Sequence, residues 1–255
     1  MQRTGRVCFV AGAASGIGRA AARRWAAEGF TVAAADIDEA GLAQTAEGRP
    51  EIRVRWLDVT DAEAVLAAVK DIEAQLGPIE RVYNGSAIQP TGLLLEQDIA
   101  EIHRVMQVNY GGLVNVSLAT LPRMLERRRG VLVNLASLAG WVPNLHFGAY
   151  SASKFAQVAF TEILHHENRG KGVQILCVCP GQVDTPLRAQ ARSNPKLMQT
   201  GPRPQTPESV VEAIERAIGK RRLFVFASWH AAIGWRLRRF LPWLLWRIGH
   251  RAEGF

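Results

Sequence analysis

The sequence predicts an α/β fold built on a parallel, doubly wound sheet of seven strands, and two observations carry this prediction. Short apolar segments alternate with helical segments from the first residues onward. The apolar segments lack a polar face, which is typical of strands in a parallel sheet that helices cover on both sides. Right-handed crossovers between such strands produce the doubly wound arrangement.

The predicted elements follow one another without a linker or a repeat. Strands are expected at residues 6–11, 31–35, 52–57, 79–83, 131–136, 173–179 and 223–226. Helices are expected from the first glycine-rich turn to residue 28, after residue 60, and at about 99–125, 150–168 and 208–219. Gly29 is typical of a helix C-cap, Thr60 with Glu63 predicts a capping box, and Thr206 with Pro207 predicts an N-cap followed by a first helical residue.

The pattern is interrupted once, and a tail follows it. Residues 183–205 are polar, and they include Pro186, Pro195, Pro202 and Pro204. A long irregular loop inside a compact domain is usually a functional lid or a disordered segment. We expect residues 1–228 to form one Rossmann-type domain with its lid at about 183–205. Residues 229–255 are expected to form an amphipathic helical tail.

The tail concentrates the basic charge of the chain. Lys and Arg number 31 against 23 Asp and Glu, and residues 229–255 hold five Arg, one Glu and four of the seven Trp. On a helical wheel, the basic and the apolar residues of the tail fall on different faces. The basic face holds Arg236, Arg239 and Arg247. The apolar face holds Leu237, Leu241, Leu244 and Ile248. Pro242 is expected to kink or restart the helix. Two interpretations stay open, a helix lying on an anionic membrane surface and a helix packed on the domain or a partner subunit.

Composition also indicates which partners are excluded and where in the cell the protein is expected. The basic residues gather in a Trp-rich amphipathic tail rather than in a nucleic-acid-binding motif, so no nucleic acid partner is expected. Cys8, Cys177 and Cys179 lie in apolar runs without metal-ligand spacing, which predicts reduced core residues and no metal. The first residues lack the apolar segment of a secretory signal, and no apolar stretch reaches the ~20 residues needed to span a bilayer. We therefore expect a cytoplasmic protein whose tail is the part able to bind the inner membrane surface.

A glycine-rich turn between the first strand and the first helix predicts a dinucleotide site. Gly12, Gly16 and Gly18, with Ser15 and Ile17 between them, follow the strand and open the helix. Glycines allow a tight turn and a close approach of the backbone to a pyrophosphate, which the helix N-terminus attracts. An ordinary strand–helix turn is the alternative, but the strand and helix contexts favour the dinucleotide.

Asp36 at the end of the second strand favours NAD over NADP. A carboxylate there accepts hydrogen bonds from the adenosine ribose hydroxyls and repels a 2′-phosphate. Neither Ser15 nor Ile37 is basic, so no cation is evident to receive that phosphate. The alternative is that Asp36 only caps a loop.

Tyr150 and Lys154 are four residues apart and therefore share one face of a predicted helix. An adjacent ammonium and a positively charged nicotinamide favour the phenolate and are together expected to lower the pKa of Tyr150 toward the working pH. Tyr150 then accepts a proton from an alcohol or donates one to a carbonyl. Ser137 ends a strand, where its hydroxyl is placed to hydrogen-bond the reacting oxygen. The alternatives are two solvated helix residues and a turn serine.

Taken together, these motifs resemble those of the short-chain dehydrogenase/reductase family over about residues 5–227. The family's T-G-x-x-x-G-x-G corresponds to residues 11–18, with Ala11 in place of Thr. The family's Asn-Ser-Tyr-Lys tetrad falls on Asn109, Ser137, Tyr150 and Lys154. The resemblance implies that Asn109 holds a water that extends a proton relay from Lys154.

The same resemblance assigns further cofactor contacts. They fall on Asp58, Val59, Asn84, Pro180, Gly181, Val183 and Thr185, of which Asp58 and Val59 contact adenine. Val183 and Thr185 are expected to face the nicotinamide carboxamide. The chain departs from the family's Asn-Asn-Ala-Gly after the fourth strand, where it has Asn84, Gly85, Ser86 and Ala87.

The implied substrate contacts are Ser137, Trp141, His146, Gln182 and Leu187, among mostly apolar neighbours, although a structural role is the stronger interpretation for His146. Such a pocket suggests a lipophilic substrate, for example a hydroxysteroid, a retinoid-like alcohol or a long acyl chain. We expect an NAD-dependent oxidoreductase that interconverts a secondary alcohol and its ketone. The family implies a homodimer or homotetramer formed through the helices at 99–125 and 150–168.

Two other functions stay open. An acyl-thioester 3-ketoreductase would use NADPH, and its lid would meet an acidic carrier through Arg188, Arg192, Lys196 and Arg203. A dinucleotide-sensing scaffold on the same fold would need no chemistry, but the presence of both Tyr150 and Lys154 argues against it.

Overall fold

The computed structural model describes residues 6–190, 195–196, 199, 203–220 and 222–254. Its strands are β1 (Val7–Ala11), β2 (Thr31–Asp36), β3 (Ile52–Trp56), β4 (Ile79–Asn84), β5 (Gly130–Leu135), β6 (Val173–Val178) and β7 (Phe224–Val225). They form one parallel sheet in the order β3-β2-β1-β4-β5-β6-β7. The predicted doubly wound sheet is confirmed, and its strand order reverses between β1 and β4, where ligands bind in such sheets.

Helices cover both faces of the sheet. They are α1 (Gly16–Ala27), α2 (Glu39–Ala46), α3 (Ala62–Leu76), α4 (Ile99–Val105), α5 (Gly112–Glu126), α6 (Gly148–Glu167), α7 (Pro207–Ala217), α8 (Trp229–Phe240) and α9 (Pro242–Glu253). Helix α2 was not predicted from the sequence, and it spans only eight residues. A carboxylate starts this helix, because Asp38 accepts a hydrogen bond from the backbone of Gly41 at 3.0 Å.

The two faces of the sheet pack against different helices. Cys8 and Val10 point into the core beneath α1 and α7, whereas Val7 and Phe9 point into the core beneath α3 and α5. This alternation explains why β1 is apolar throughout, since both of its faces are buried. The edge strand β3 differs, because most of its residues are at least partly exposed.

The structure corrects one of the predicted helix ends. The N-cap of α3 is Asp61, which accepts a hydrogen bond from the backbone of Ala64 at 2.9 Å. Thr60 instead donates its hydroxyl to Asp58, so the predicted capping box of Thr60 and Glu63 is wrong. The helix begins one residue later than predicted, which places Glu63 at the second helical position. The C-cap of α1 is Glu28, and Gly29, which was expected at that position, follows it with a left-handed φ of 83°. The N-cap of α7 is Thr206, as predicted.

The helix expected at about 99–125 contains a wider turn. Residues Met106–Gly111 form a π-helical turn between α4 and α5. Such turns insert one extra residue and occur mostly at functional sites. This turn contains Asn109, which is fully buried.

The tail folds as two helices that pack against the domain. Pro242 is at the first turn of α9, so it restarts the helix. In α8, the Trp235 ring lies 5.8 Å from the rings of both Trp141 and Phe226, measured between centroids. Within the described residues, no helix is long and apolar enough to cross a membrane.

Candidate active site

A cavity of about 400 Å³ opens at the carboxyl edge of the sheet. Its walls come from the segments that follow β1, β4, β5 and β6, and residues of the tail also line it. Members of the first group include Ile17, Gly85, Ala87, Ser137, Pro180 and Gly181, and members from the tail include Arg238, Leu245, Trp246, Gly249 and Glu253. The tail therefore forms part of the cavity wall, which the sequence analysis did not foresee.

The glycine-rich turn fits a pyrophosphate because it leaves no room for side chains. A Cβ on Gly12 would lie 2.8 Å from the backbone nitrogen of Ser86, and a Cβ on Gly18 would lie 1.9 Å from the carbonyl oxygen of Gly12. Gly12 and Gly16 also have left-handed φ values of 83° and 52°. The N-cap of α1 is Ser15, whose side chain makes no capping hydrogen bond, so the amides of the first turn are left for an anion.

Asp36 lies at the end of β2 and braces this turn. Its Oδ2 accepts a hydrogen bond from the backbone of Ala14 at 3.0 Å, and its Oδ1 accepts one from Ile37 at 2.8 Å. The nearby guanidinium of Arg19 donates to the carbonyl oxygens of Ala14 and Gly41. Asp36 thus has the structural role that was the alternative interpretation, while keeping the position expected for ribose recognition.

Tyr150 and Lys154 lie one turn apart on α6, and both are almost fully buried. The Nζ of Lys154 is 5.5 Å from the centroid of the Tyr150 ring. Burial raises the pKa of Tyr150 to about 12, although a hydrogen bond with Ser137 opposes the rise. The predicted lowering of this pKa counts on the charge of a bound nicotinamide as well as on Lys154, so it stays a prediction for the protein with cofactor; in the chain alone, the loss of solvation raises the pKa. Burial also lowers the pKa of Lys154 to about 7.

The ammonium of Lys154 has two acceptors. Nζ donates to the carbonyl oxygen of Leu135, at the end of β5, at 3.0 Å, and to Oε1 of Gln157 at 2.8 Å. The Nε2 of Gln157 donates in turn to the carbonyl oxygen of Asn109 at 2.6 Å. Gln157 was not among the residues predicted for the site. Its spacing, three residues after Lys154 and seven after Tyr150, was the available signal because it keeps all three on one helix face.

Asn109 is held from several sides. Its side chain accepts a hydrogen bond from the backbone of Ile88 at 2.8 Å and donates to Ser153 at 3.0 Å. The Ser153 hydroxyl donates to the carbonyl oxygen of Tyr150 at 2.7 Å. The π-helical turn, the segment after β4 and the start of α6 are therefore joined around the buried Tyr150.

The remaining predicted cofactor residues divide into two groups. Pro180, Gly181, Val183 and Thr185 all line the cavity. Asp58 and Val59 lie at the same edge of the sheet after β3, where Asp58 accepts hydrogen bonds from the backbone and hydroxyl of Thr60. Asn84 is buried away from the cavity and donates to the carbonyl oxygen of Leu113 at 2.9 Å and to Asn134 at 3.2 Å.

A buried tyrosine explains the departure after β4. A Cβ on Gly85 would lie 2.4 Å from the ring of Tyr83, so no larger residue fits at that position. Burial raises the pKa of Tyr83 and keeps it a neutral phenol, and the charge of Tyr150 acts in the same direction. The side chain of Tyr83 therefore occupies room that an asparagine at position 85 would need.

The predicted substrate residues are also divided. Ser137, Gln182 and Leu187 line the cavity, and Oε1 of Gln182 is buried without a hydrogen-bond partner among the described residues. Trp141 and His146 are absent from the wall of the cavity. Trp141 packs instead against Phe224, with their ring centroids 5.1 Å apart. His146 has a left-handed φ of 67°, and its Nε2 lies 3.9 Å from the carboxylate of Glu253.

The ends of the predicted lid are tied together. The backbone nitrogen of Asp184 donates to the carbonyl oxygen of Gln205, and that of Gln205 donates to the carbonyl oxygen of Gln182, both at 2.8 Å. Arg188 and Arg203 line the cavity. Arg192 and Pro202 lie outside the described residues.

Comparison with curated proteins agrees with this geometry. A model of the family described as short chain dehydrogenase matches residues 6–196. The chain is 35% identical over 241 residues to 1-deoxy-11-beta-hydroxypentalenate dehydrogenase of Streptomyces exfoliatus, covering 91% of this chain and 86% of that protein. It is 38% identical over 188 residues to the probable oxidoreductase EphD of Mycobacterium tuberculosis, covering 71% of this chain. That match spans only 31% of EphD, so this chain corresponds to less than a third of it.

Solved structures share the whole fold. A short-chain dehydrogenase/reductase from Burkholderia phymatum in complex with NAD has a TM-score of 0.84 at 28% identity, covering 94% of this chain and 95% of that one. Actinorhodin polyketide ketoreductase, in a substituted form with NADPH, has a TM-score of 0.81 at 28% identity, covering 89% and 97%. The chain therefore belongs to the short-chain dehydrogenase family of oxidoreductases, which use a nicotinamide dinucleotide to act on alcohol and keto groups.

Proposed function

We propose that this chain is an NAD-dependent oxidoreductase that interconverts a lipophilic secondary alcohol and its ketone. The observation that carries the proposal is the buried phenol of Tyr150, hydrogen-bonded to Ser137 and lining an apolar cavity with Lys154 beside it. A proton donor of this kind, set beside a dinucleotide turn, serves reactions in which a proton and a hydride move together.

Tyr150, Ser137 and Lys154 each have a separate role in the proton transfer. In the oxidation direction, the Tyr150 oxygen accepts the hydroxyl proton of the alcohol, and Ser137 donates a hydrogen bond to the same substrate oxygen. The ammonium of Lys154 stabilises the phenolate form of Tyr150. When bound, the nicotinamide supplies the site of hydride transfer, and its oxidised ring supplies positive charge that favours the phenolate.

NAD is the proposed cofactor because the negative charge at the end of β2 disfavours the 2′-phosphate of NADP. Asp36 places a carboxylate there, and Ile37 next to it brings no cation. The guanidinium of Arg19, which contacts the same turn, already donates to the backbone carbonyl oxygens of Ala14 and Gly41. A 2′-phosphate would therefore meet repulsion without a compensating partner.

The substrate class follows from the wall of the cavity. Its apolar members include Val142, Leu145, Leu187, Leu245 and Trp246. A hydroxysteroid, a retinoid-like alcohol or a long-chain acyl alcohol would bury its hydrocarbon against these side chains. The buried Oε1 of Gln182 is an acceptor for one further hydroxyl of such a substrate.

Acyl-thioester 3-ketoreduction is the second candidate, because Arg188 and Arg203 of the lid line the cavity. An acidic carrier would be attracted to these side chains. This candidate requires NADPH, which the carboxylate of Asp36 opposes.

The tail is proposed to bind an anionic membrane surface. Its outward face exposes Trp229, Phe240 and Trp243 by 66%, 73% and 60%. The exposed cations Arg236, Arg239, Arg247 and Arg251 accompany them. Aromatic and basic side chains on one amphipathic surface are typical of helices that lie at a lipid interface. Because the inner face of the same helices lines the cavity, lipid-borne substrate would enter beside the membrane.

A homodimer or homotetramer is proposed to form through α4, α5 and α6. Leu118, Phe155 and Ile163 on these helices are exposed by 54%, 40% and 57%. Apolar side chains of this size on long helices are typical of subunit interfaces. Size-exclusion chromatography with light scattering tests the assembly, and a monomer at all concentrations would contradict it.

Substrate turnover tests the function directly. Lipophilic secondary alcohols are offered with NAD and with NADP, 3-ketoacyl thioesters are offered with NADH and NADPH, and the absorbance of the reduced nicotinamide is followed. We expect oxidation of lipophilic alcohols with NAD, and no turnover by Tyr150→Phe. Turnover of the thioesters alone, with NADPH, would replace the proposal by the second candidate.

Vesicle sedimentation tests the membrane surface. The full chain is expected to pellet with phosphatidylglycerol vesicles and to stay in solution with phosphatidylcholine vesicles. A variant with Arg239→Glu and Arg247→Glu keeps the aromatic residues and should lose this preference. Equal partitioning of the full chain and a chain ending at Ser228 would remove the membrane role.

A further inference from the structure

We propose that Gln157 is a positioning residue of the active site, which fixes the place and the charge of the Lys154 ammonium beneath Tyr150. The contact of its Oε1 with Nζ of Lys154, at 2.8 Å, is the only side-chain hydrogen bond that Lys154 makes among the described residues. The inference rests on the proposed function only for the role of Lys154, and its test needs neither substrate nor cofactor.

The orientation of the Gln157 amide is forced by its two partners. Nε2 donates to the carbonyl oxygen of Asn109 at 2.6 Å, and a carbonyl oxygen accepts only. If the amide were flipped, its oxygen would face the carbonyl oxygen of Asn109 and its NH2 group would face the ammonium of Lys154. The Asn109 carbonyl therefore directs Oε1 at the ammonium, and the π-helical turn that contains Asn109 sets the direction of that carbonyl.

Burial strengthens the hydrogen bond between Gln157 and Lys154. Asn109, Lys154 and Gln157 are each at most 1% exposed, so their hydrogen-bonding groups are out of contact with bulk water. A charge-assisted hydrogen bond in such a site is worth more than one on the surface. Removing Oε1 would leave the carbonyl oxygen of Leu135 as the remaining acceptor for the ammonium among the described residues.

The other groups that face Lys154 are two thiols and two phenols. Cys177 lies on β6 and Cys179 follows the end of that strand, and the hydrogen bond with Cys179 together with burial raises the pKa of the Cys177 thiol. The phenols are Tyr150 on α6 and, near it, Tyr83 on β4, and burial raises the pKa of each. Among the described residues, no carboxylate forms an ion pair with Lys154. The neutral oxygen of Gln157 thus holds the ammonium without cancelling its charge, and that charge is what favours the phenolate of Tyr150.

Residues of similar size could not replace glutamine at position 157 in this role. Leucine or methionine at position 157 would fill the space but would offer no acceptor. Glutamate would accept more strongly, yet its negative charge would neutralise the ammonium that Tyr150 requires. A buried neutral acceptor satisfies both demands.

The test is the titration of Lys154 itself, followed by NMR in the folded protein with 13Cε-labelled lysine. The chain has five lysines, at positions 70, 154, 171, 196 and 220, and Lys154→Met assigns the signal of interest. Lys154 is expected to titrate near pH 7 in the parent protein. Gln157→Leu should lower this midpoint by about one to two pH units, because the ammonium loses an acceptor. Gln157→Glu should raise it by at least about one unit.

Thr161→Val is the matched control. Thr161 is fully buried one turn further along α6 and donates to the backbone oxygen of Gln157, without touching Lys154. Its replacement should lower thermal stability and leave the Lys154 midpoint in place. If Gln157→Leu does not fold, Gln157→Glu decides the matter alone. A midpoint that is the same in the parent protein and in the folded Gln157 variants would overturn the proposal, whatever the substrate of the protein proves to be.

Discussion

The Nζ of Lys154 lies 5.5 Å from the centroid of the Tyr150 ring, inside a site where both residues are almost fully buried. Burial shifts the two pKa values in opposite directions, to about 12 for the phenol and about 7 for the ammonium. Both shifts have the same cause, since each charged form loses its solvation. In the protein without cofactor, the phenol is therefore neutral and Lys154 exchanges its proton near pH 7, and charge brought by an oxidised nicotinamide would add to that of the ammonium in making the phenolate accessible.

Replacing Tyr150 with phenylalanine should stop turnover without emptying the dinucleotide site. The change removes the group that moves the proton, so we expect kcat to fall by about 10²–10⁴-fold. The affinity for NADH, followed by its fluorescence, should change little, because the glycine-rich turn is untouched. Full activity of this variant would rule out the proposed mechanism.

Lys154 makes the stability of the fold depend on pH. Its folded pKa of about 7 lies below the value of 10.5 expected in the unfolded chain. Between these values the unfolded state binds the extra proton, so stability rises with pH and is lost as the pH falls toward 7. From about pH 7.5 to about pH 8.5 the parent protein should gain about 1.4 kcal/mol in unfolding free energy relative to Lys154→Met.

Urea unfolding at several pH values measures that difference. The comparison with Lys154→Met removes the contributions of the thiols and phenols, which both proteins share. Parallel stability curves would show that the lysine titrates at its ordinary pKa.

Asp36→Asn should weaken the preference for NAD without disturbing the turn. Asparagine keeps an oxygen that can accept the hydrogen bond from Ala14, and it removes the charge that repels a 2′-phosphate. We expect the ratio of kcat/KM for NAD over NADP to fall by about 10- to 100-fold, an electrostatic effect of about 1.4–2.8 kcal/mol. An unchanged ratio would mean that Asp36 only holds the loop.

Gly18→Ala should abolish dinucleotide binding. The added methyl group would lie 1.9 Å from the carbonyl oxygen of Gly12, so the turn and the start of α1 would have to separate. Gly234→Ala on α8 is the matched control, since Gly234 is not part of the cavity wall and the nearest atoms to its added Cβ are the methyl groups of Leu138 at 3.6 Å, an ordinary contact. Titration with NADH should show loss of binding in the first variant and retention in the second. Equal affinities would place the pyrophosphate elsewhere.

The local signals in the chain predicted the sheet and the chemistry together. Alternating apolar runs predicted all seven strands, because strands buried on both faces need apolar residues throughout. The spacing of Tyr150 and Lys154 predicted their shared helix face, since that face is set by the period of the helix alone. The glycines of the first turn were recognisable because their requirement is a backbone requirement, which the residue type itself reveals.

The tertiary structure decided what lies around these residues. Trp141 and His146 were expected at the substrate, yet Trp141 packs against Phe224 and Trp235, because α8 returns to the edge of the sheet. The tail lines the cavity with Leu245 and Trp246, a contact between segments that are distant in sequence.

The same holds for charge and for the pairing of donors with acceptors. Burial raises the pKa of Tyr150 in the chain without cofactor because solvation depends on depth, which no local pattern reports. The link from Lys154 through Gln157 to Asn109 depends on a π-helical turn and on the distance between two helices. Residue types and spacing determined which groups share a strand end or a helix face, whereas burial and long-range contacts, which arise only when the chain folds, determined their charge and their partners.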